Sequence, residues 1–294
     1  MALKKFLMVA VVVAVLVACG DDDSSFATRP SDGSSSSVTP QSSDSETSVS
    51  SSSSAKSSSS LVKSSSSVAY VKPCRTDSVD ICEYGTLTDE RDGQTYKTVT
   101  IGTQIWMAEN LNYAYTGVPY NYSGNTSDST SWCYGDNPAN CTKYGRLYTW
   151  AAAMDSVGTL STNGKGCGWE AVCMPTYPVR GVCPEGWHLP TQTEWNTLFT
   201  AVGGQSTAGK MLKSTSGWNS SGNGTDAYSF SALPAGYRYY GGDFLIEGYT
   251  AYFWSSTEGN SSDAYYMYLN YSGGNAHLNN NLKDYGFSVR CVQD

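Results

Sequence analysis

The stretch Cys183-Pro184-Glu185-Gly186-Trp187-His188-Leu189-Pro190-Thr191-Gln192-Thr193-Glu194-Trp195 decides most of the fold. Thr191 and Glu194 have the Thr-x-x-Glu spacing of a capping box, in which each side chain satisfies the other residue's free backbone N–H, and Pro190 ends the segment before it. Trp195, Leu198, Phe199 and Val202 then recur on one stripe, and Gly203-Gly204 stops the helix. Working outward, Tyr96-Lys97-Thr98-Val99-Thr100-Ile101 alternates like a half-buried strand, Gly102-Thr103 supplies a two-residue turn, and Gln104 to Met107 returns. The spacing of Tyr144, Leu147, Tyr148, Ala151 and Met154 predicts another helix over residues 144–154. Phe253-Trp254-Ser255-Ser256, residues 265–271 and residues 287–292 read as strands separated by loops of Gly, Asn and Ser. The sum is an α+β domain.

Charge and composition set its surroundings. Across 294 residues, 26 Asp plus Glu against 18 Lys plus Arg give a net charge of -8, which argues against a nucleic-acid partner, because phosphates demand a basic surplus or stripe. Only 15% of residues are charged, while 22 Tyr and 8 Trp sit among abundant Gly, Ser and Asn, as suits a loop-rich exported domain.

The N-terminus carries an address. Lys4 and Lys5 precede an apolar run over residues 6–17, too short to span a bilayer but fitting an export signal. It ends in Leu16-Val17-Ala18-Cys19, which resembles the bacterial lipobox, so residues 1–18 are expected to be a removed signal peptide and Cys19 the lipid anchor to the membrane. Asp21-Asp22-Asp23 resembles the acidic stretch that sends some lipoproteins to the cell surface; the outer face of an outer membrane is the expected location and its periplasmic face the alternative. Residues 19–70 form a serine-rich linker: 24 of the 44 residues from Ser24 to Ser67 are serine. Such a composition cannot bury enough apolar surface to offset ordering, and as a coil it spans about 35 to 40 Å. Residues 71–294 are then the folded domain.

With Cys19 assigned to lipid, eight cysteines remain in an exported chain, and disulfides are the default. Spacing suggests Cys74 with Cys82, Cys133 with Cys141, Cys167 with Cys173, and Cys183 with Cys291. Zinc is the competing reading, but no CxxC pair occurs and the histidines are only His188 and His277. No metal and no cofactor is expected.

Six ordered motifs then carry a resemblance. They are Asp92-Gly93-Gln94-Thr95-Tyr96-Lys97-Thr98-Val99, Trp106-Met107-Ala108-Glu109-Asn110-Leu111-Asn112-Tyr113, the 183–191 stretch, Ala208-Gly209-Lys210 with Lys213-Ser214, Phe253-Trp254-Ser255-Ser256-Thr257-Glu258, and Gly286-Phe287-Ser288-Val289-Arg290-Cys291-Val292. Together they resemble the Fibrobacter succinogenes major paralogous domain over about residues 86–294. More distantly, Leu-Pro-Thr-x-x-Glu-Trp and the Gly-Phe-x-x-Arg-Cys ending resemble the C-type-lectin-like fold shared with formylglycine-generating enzymes. That resemblance implies two main helices flanking a twisted antiparallel sheet, paired chain ends and long loops. It does not bring the superfamily's functions with it. Trp218-Asn219-Ser220 lacks the aspartate of the calcium-binding lectin motif, and Cys291 stands alone where the enzymes carry a reactive cysteine pair.

The remaining chemistry is aromatic. Glu194 has a structural role in its capping box, His188 lies between apolar neighbours as a core histidine would, and no residue is singled out as a nucleophile for His277. Trp218, Tyr237, Tyr239, Tyr240, Tyr266, Tyr268, Asn270 and His277 are the candidate ligand-binding residues, since sugar C–H faces pack on flat rings and tyrosine adds a hydroxyl. In residues 265–271, strand alternation puts Tyr265, Met267, Leu269 and Tyr271 on the core side and Tyr266, Tyr268 and Asn270 on the other. The expected function is a non-catalytic, surface-anchored binding or adhesion module for polysaccharide or envelope glycans. An enzyme of unrecognised type and a structural or protein-interaction envelope protein are the alternatives.

Overall fold

The computed structural model describes residues 69–122 and 125–294. The signal segment 1–18, Cys19 and the serine-rich segment as far as residue 68 lie outside the described residues. No helix among the described residues is long and apolar enough to cross a membrane.

The chain begins with strands β1 (Tyr84–Thr88), β2 (Thr95–Ile101), β3 (Gln104–Met107), β4 (Thr116–Tyr122), β5 (Asn125–Ser129) and β6 (Ser131–Trp132). Helix α1 (Pro138–Tyr144), β7 (Leu147–Tyr148), α2 (Trp150–Ala153), β8 (Trp187–His188), α3 (Gln192–Ala201) and α4 (Gln205–Leu212) follow. The last third is β9 (Tyr237–Arg238), β10 (Phe244–Leu245), β11 (Thr250–Glu258), β12 (Asp263–Asn270), β13 (Ala276–Leu282), β14 (Phe287–Ser288) and β15 (Val292–Gln293). One sheet runs β1-β2-β3-β15-β8, a second runs β13-β12-β11-β14-β7-β6, and β4-β5 and β9-β10 stand as two-stranded pairs. Pairing is antiparallel except between β11 and β14. The fold is therefore mixed α+β, with mainly antiparallel sheets and short helices.

The capping box forms in both directions: Thr191 Oγ1 accepts from the Glu194 N–H and Glu194 Oε2 accepts from the Thr191 N–H, so α3 starts where the sequence places it. His188 is buried under this helix start, its Nε2 2.7 Å from Glu194 Oε1 and its Nδ1 2.6 Å from Asp294 Oδ1. Burial disfavours the charged ring, but the hydrogen bonds and charges of Glu194 and Asp294 outweigh it and hold His188 above its ordinary value. The residue thus ties the C-terminal residue to α3.

Two local expectations are corrected. The helix over residues 144–154 does not form: α1 ends at Tyr144, and Gly145 turns away at a φ of 71° with its α-carbon pressed against the Asn110 and Leu111 carbonyls, where an added Cβ would lie 2.8 Å from each. Leu147 and Tyr148 then pair with Ser288 and Phe287, and Thr149 caps a single new turn. The strand over residues 287–292 also splits. Phe287–Ser288 belongs to the six-stranded sheet and Val292–Gln293 to the five-stranded one, so residues 289–291 cross from one to the other.

The second sheet is buried on both faces. Along β11, Ala251 and Phe253 enter a core built with Trp195, Leu198 and Phe199 of α3, whereas Trp254 enters a second core with Tyr148, Trp150 and Phe287. Along β12, Met267 and Leu269 join the first core and Ala264 and Tyr266 the second. Disulfides join Cys74 to Cys82, Cys133 to Cys141, Cys167 to Cys173 and Cys183 to Cys291. The last closes a loop of 108 residues, worth about 4.7 kcal/mol on the chain-entropy model.

At the sheet crossing, Arg290 is 1% exposed. Its Nε and Nη2 donate to Asn110 Oδ1 at 3.1 and 2.6 Å, and Nη1 donates to the Phe230 carbonyl. Asn110→Ala would remove the acceptor shared by Nε and Nη2 and is expected to lower the unfolding free energy by about 1.5 to 3 kcal/mol, read by urea denaturation. A cost below about 1 kcal/mol, the level of an ordinary hydrogen bond, would show that Arg290 is held by its other contacts.

Candidate functional site

Strand register assembles aromatic residues that are far apart in sequence. Tyr252 of β11 lies opposite Tyr268 of β12, which lies opposite His277 of β13. The rings follow the strand spacing: His277 stacks on Tyr268 at 4.7 Å, Tyr268 on Tyr252 at 5.8 Å, and Tyr252 on Phe287 at 4.9 Å, all within 22° of parallel. Tyr237 meets Tyr252, Tyr285 and Phe287, and Tyr239 packs 3.9 Å from Tyr240 and 5.3 Å from Tyr285. The result is one continuous tyrosine face on the second core, half-buried at Tyr237, Tyr239, Tyr240, Tyr252, Tyr268, Tyr285 and His277.

Parallel rings have consequences for chemistry. Within the row the flat faces cover one another, so ring edges and hydroxyls meet solvent, and a free flat face remains only at the ends of the row. Among the described residues, the hydroxyls of Tyr237, Tyr239, Tyr268 and Tyr285 have no hydrogen-bond partner. Burial, followed by the neighbouring tyrosines, raises the Tyr285 hydroxyl to about 12, and burial alone raises Tyr237. Both shifts favour the protonated phenol, and a tyrosine hydroxyl can donate and accept.

The structure brings together Tyr237, Tyr239, Tyr240, Tyr268 and His277 from the sequence-based candidates and removes three others. Trp218 is not an exposed loop ring: it is 5% exposed in the first core, its Nε1 donating to Ser214 Oγ and the Ala232 carbonyl at 3.1 Å each. Tyr266 is 6% exposed because Trp254, Tyr252 and Phe287 close over the strand face assigned to solvent. Asn270 Oδ1 accepts from the Ser272 N–H and hydroxyl, so its side chain holds a turn. Tyr252 and Tyr285 were missed. Period-two alternation along β11 puts Tyr252 with Trp254, but only the cross-strand register puts it in the row.

No group of three or more His, Cys, Asp or Glu is placed to hold a metal among the described residues. The site is a hydroxyl-bearing aromatic surface on a disulfide-tied α+β domain. A family model described as the Fibrobacter succinogenes major domain matches residues 99–293, and the chain belongs to that family. No curated protein and no solved structure matches the chain.

Asp284, one residue before Tyr285, is 8% exposed, and its Oδ2 has no partner. Burial, and then the charge of Glu170, raise its carboxyl from 3.8 to about 6. The fold favours the protonated form, so the stability this group contributes is full below about pH 4 and lost as pH rises through about 6. Asp284→Asn is expected to raise the unfolding free energy at pH 8 by about 2 to 3 kcal/mol and to change little at pH 4. Urea titrations at both values measure it, and an equal effect at the two would show that the charge is not the cause.

Proposed function

We propose that this chain is a non-catalytic binding module of the bacterial envelope, held to the outer membrane surface by lipid on Cys19, and that its tyrosine face docks polysaccharide. The observation that carries the reading is the continuous half-buried tyrosine face, on which the hydroxyls of Tyr237, Tyr239, Tyr268 and Tyr285 have no partner among the described residues. Tyrosine gives wide contact area with few rotatable bonds and a polar handle, the same economy that fills antibody combining sites with it. Because the hydroxyls are neutral, they suit a ligand rich in hydroxyls of its own. Because the stacked rings of the row cover one another's faces, recognition there runs through hydrogen bonds along ring edges, with C–H stacking confined to the row's open end at His277.

The C-type-lectin-like fold is part of this proposal. Its support is strand β15, which sits between β3 and β8 and so brings residues 292–293 into the sheet that begins with β1.

Retention on insoluble polysaccharides tests the reading with wild type, Tyr268→Ala, and the paired hydroxyl deletions Tyr239→Phe and Tyr285→Phe. Wild type is expected to be retained on at least one neutral polysaccharide, Tyr268→Ala to bind about tenfold more weakly, and each Phe variant about two- to fivefold more weakly. No retention on any polysaccharide, or retention unchanged in all three variants, would sink the proposal.

A further inference from the structure

His188 of β8 stands between two carboxylates. Its Nε2 lies 2.7 Å from Glu194 Oε1 in the first turn of α3, and its Nδ1 lies 2.6 Å from Asp294 Oδ1, just after β15. The His188 side chain is only 6% exposed, so water does not replace either partner. A carboxylate only accepts, and a neutral imidazole carries one N–H. The neutral ring can therefore serve one of these oxygens and must turn a bare lone pair toward the other. Only the imidazolium, with an N–H on each nitrogen, makes both contacts.

The two carboxylates are held differently. Glu194 Oε2 accepts from the Thr191 N–H at 2.7 Å and from the Thr191 hydroxyl at 2.9 Å, so the capping box fixes it. Burial raises the Glu194 carboxyl, but the hydrogen bonds from His188 and Thr191 outweigh it and hold the group below its ordinary value. The proton between the pair thus belongs to the ring. The Asp294 side chain is 48% exposed, and among the described residues its carboxylate accepts a hydrogen bond from His188 alone. Loss of the ring proton leaves the Glu194 contact in place and sets the Nδ1 lone pair against Asp294, which can turn to water.

Asp294 closes a short seam. β15 pairs with β8 through Val292 opposite His188 and Gln293 opposite Trp187, and the Asp294 N–H donates to the Gly186 carbonyl at 3.1 Å. On its other side β15 meets β3 through Val292 and Trp106. Trp187 and Gln293 form one wall of a cleft of about 340 Å³, against β1, β2 and Ile105 of β3. The charged groups acting on the ring are Glu194 and Asp294; β3 adds the neutral Gln104, whose Nε2 donates to the Glu194 carbonyl at 3.3 Å.

We propose that His188 is a protonation-controlled clamp. As an imidazolium it binds Glu194 and Asp294 together and closes the β8–β15 wall of the cleft; as a neutral ring it keeps Glu194 and releases Asp294. Burial disfavours the charged ring, but the hydrogen bonds and charges of the two carboxylates outweigh it and hold the ring above 6.5. The stability the clamp contributes is full below about pH 6.5 and is lost as pH rises through the raised value.

Imidazole Cε1–H signals of the full chain test it by NMR, since the sequence holds only two histidines. The His188 signal, assigned by its absence in His188→Gln, is expected to titrate with a midpoint above 6.5. Asp294→Asn, whose amide can donate to a neutral Nδ1, should lower that midpoint by about one pH unit. Hydrogen-exchange protection of the Asp294 N–H, corrected for the intrinsic rate, should fall about tenfold or more between pH 6 and pH 9 while that of β12 holds, and Asp294→Asn should flatten the fall. The wild-type titration and exchange stand even where His188→Gln does not fold. A His188 midpoint at or below 6.5, a midpoint unmoved in Asp294→Asn, or equal Asp294 protection at the two pH values would each overturn the proposal.

Discussion

The buried guanidinium of Arg290 is the constraint on which the rest of the domain depends. It sits where residues 289–291 leave the six-stranded sheet for the five-stranded one, and its hydrogen bonds reach the 108–112 segment through Asn110 and the 226–231 loop through Phe230. The guanidinium also lies over the Phe230 ring at 4.3 Å and near Phe253 at 5.3 Å, so one charge touches both a loop and the strand beneath it. The next residue, Cys291, is bonded to Cys183 ahead of α3. Two successive side chains therefore fix the crossing from opposite directions. Removing a partner of such a buried charge costs more than the bond itself contributes, because the charge cannot return to water.

The same device recurs wherever a long loop must be held without regular structure. Asp155, fully buried, accepts from the Tyr115 hydroxyl, the Thr159 hydroxyl and three successive backbone N–H groups of residues 159–161. Lys283 Nζ donates to the Gly168, Ala171 and Ser261 carbonyls and to Glu258 Oε1, gathering two loops around one ammonium. Lys213 Nζ does the same for the Asn270 and Gly273 carbonyls. A backbone that is neither helix nor strand leaves polar groups unpaired, and a central charge satisfies several at once in a medium where each bond is strong. Asp284 is the exception that marks the rule's cost, since it lacks such partners and its charged form is penalised.

This pattern explains which parts of the fold were legible in the sequence. Thr191 and Glu194, Gly102 and Thr103, and the three short disulfide loops are local, with partners within about ten residues, so spacing alone identified them. Residues 144–154 misled because helical periodicity was read without the tertiary contact at Gly145 that forbids continuation. Residues 287–292 looked like one strand because alternation does not reveal that its two ends pair with different sheets. The tyrosine face was half legible: composition pointed to the right residue type, but Tyr252, Tyr268 and His277 become neighbours only through register between three strands. Trp218 and Tyr266 misled because a loop and a strand face that read as open are covered, the first by the α3 core and the second by the core around Trp254.

Having cores on both sides of the sheet also determines what kind of surface remains. A sheet with one solvated face can present flat rings outward. Here Trp254, Tyr266 and Phe287 fill the space over the second face, so the outer tyrosines stand on edge against one another and expose hydroxyls. A phenol hydroxyl carries no charge at neutral pH, and contacts made through the exposed hydroxyls should be nearly indifferent to salt.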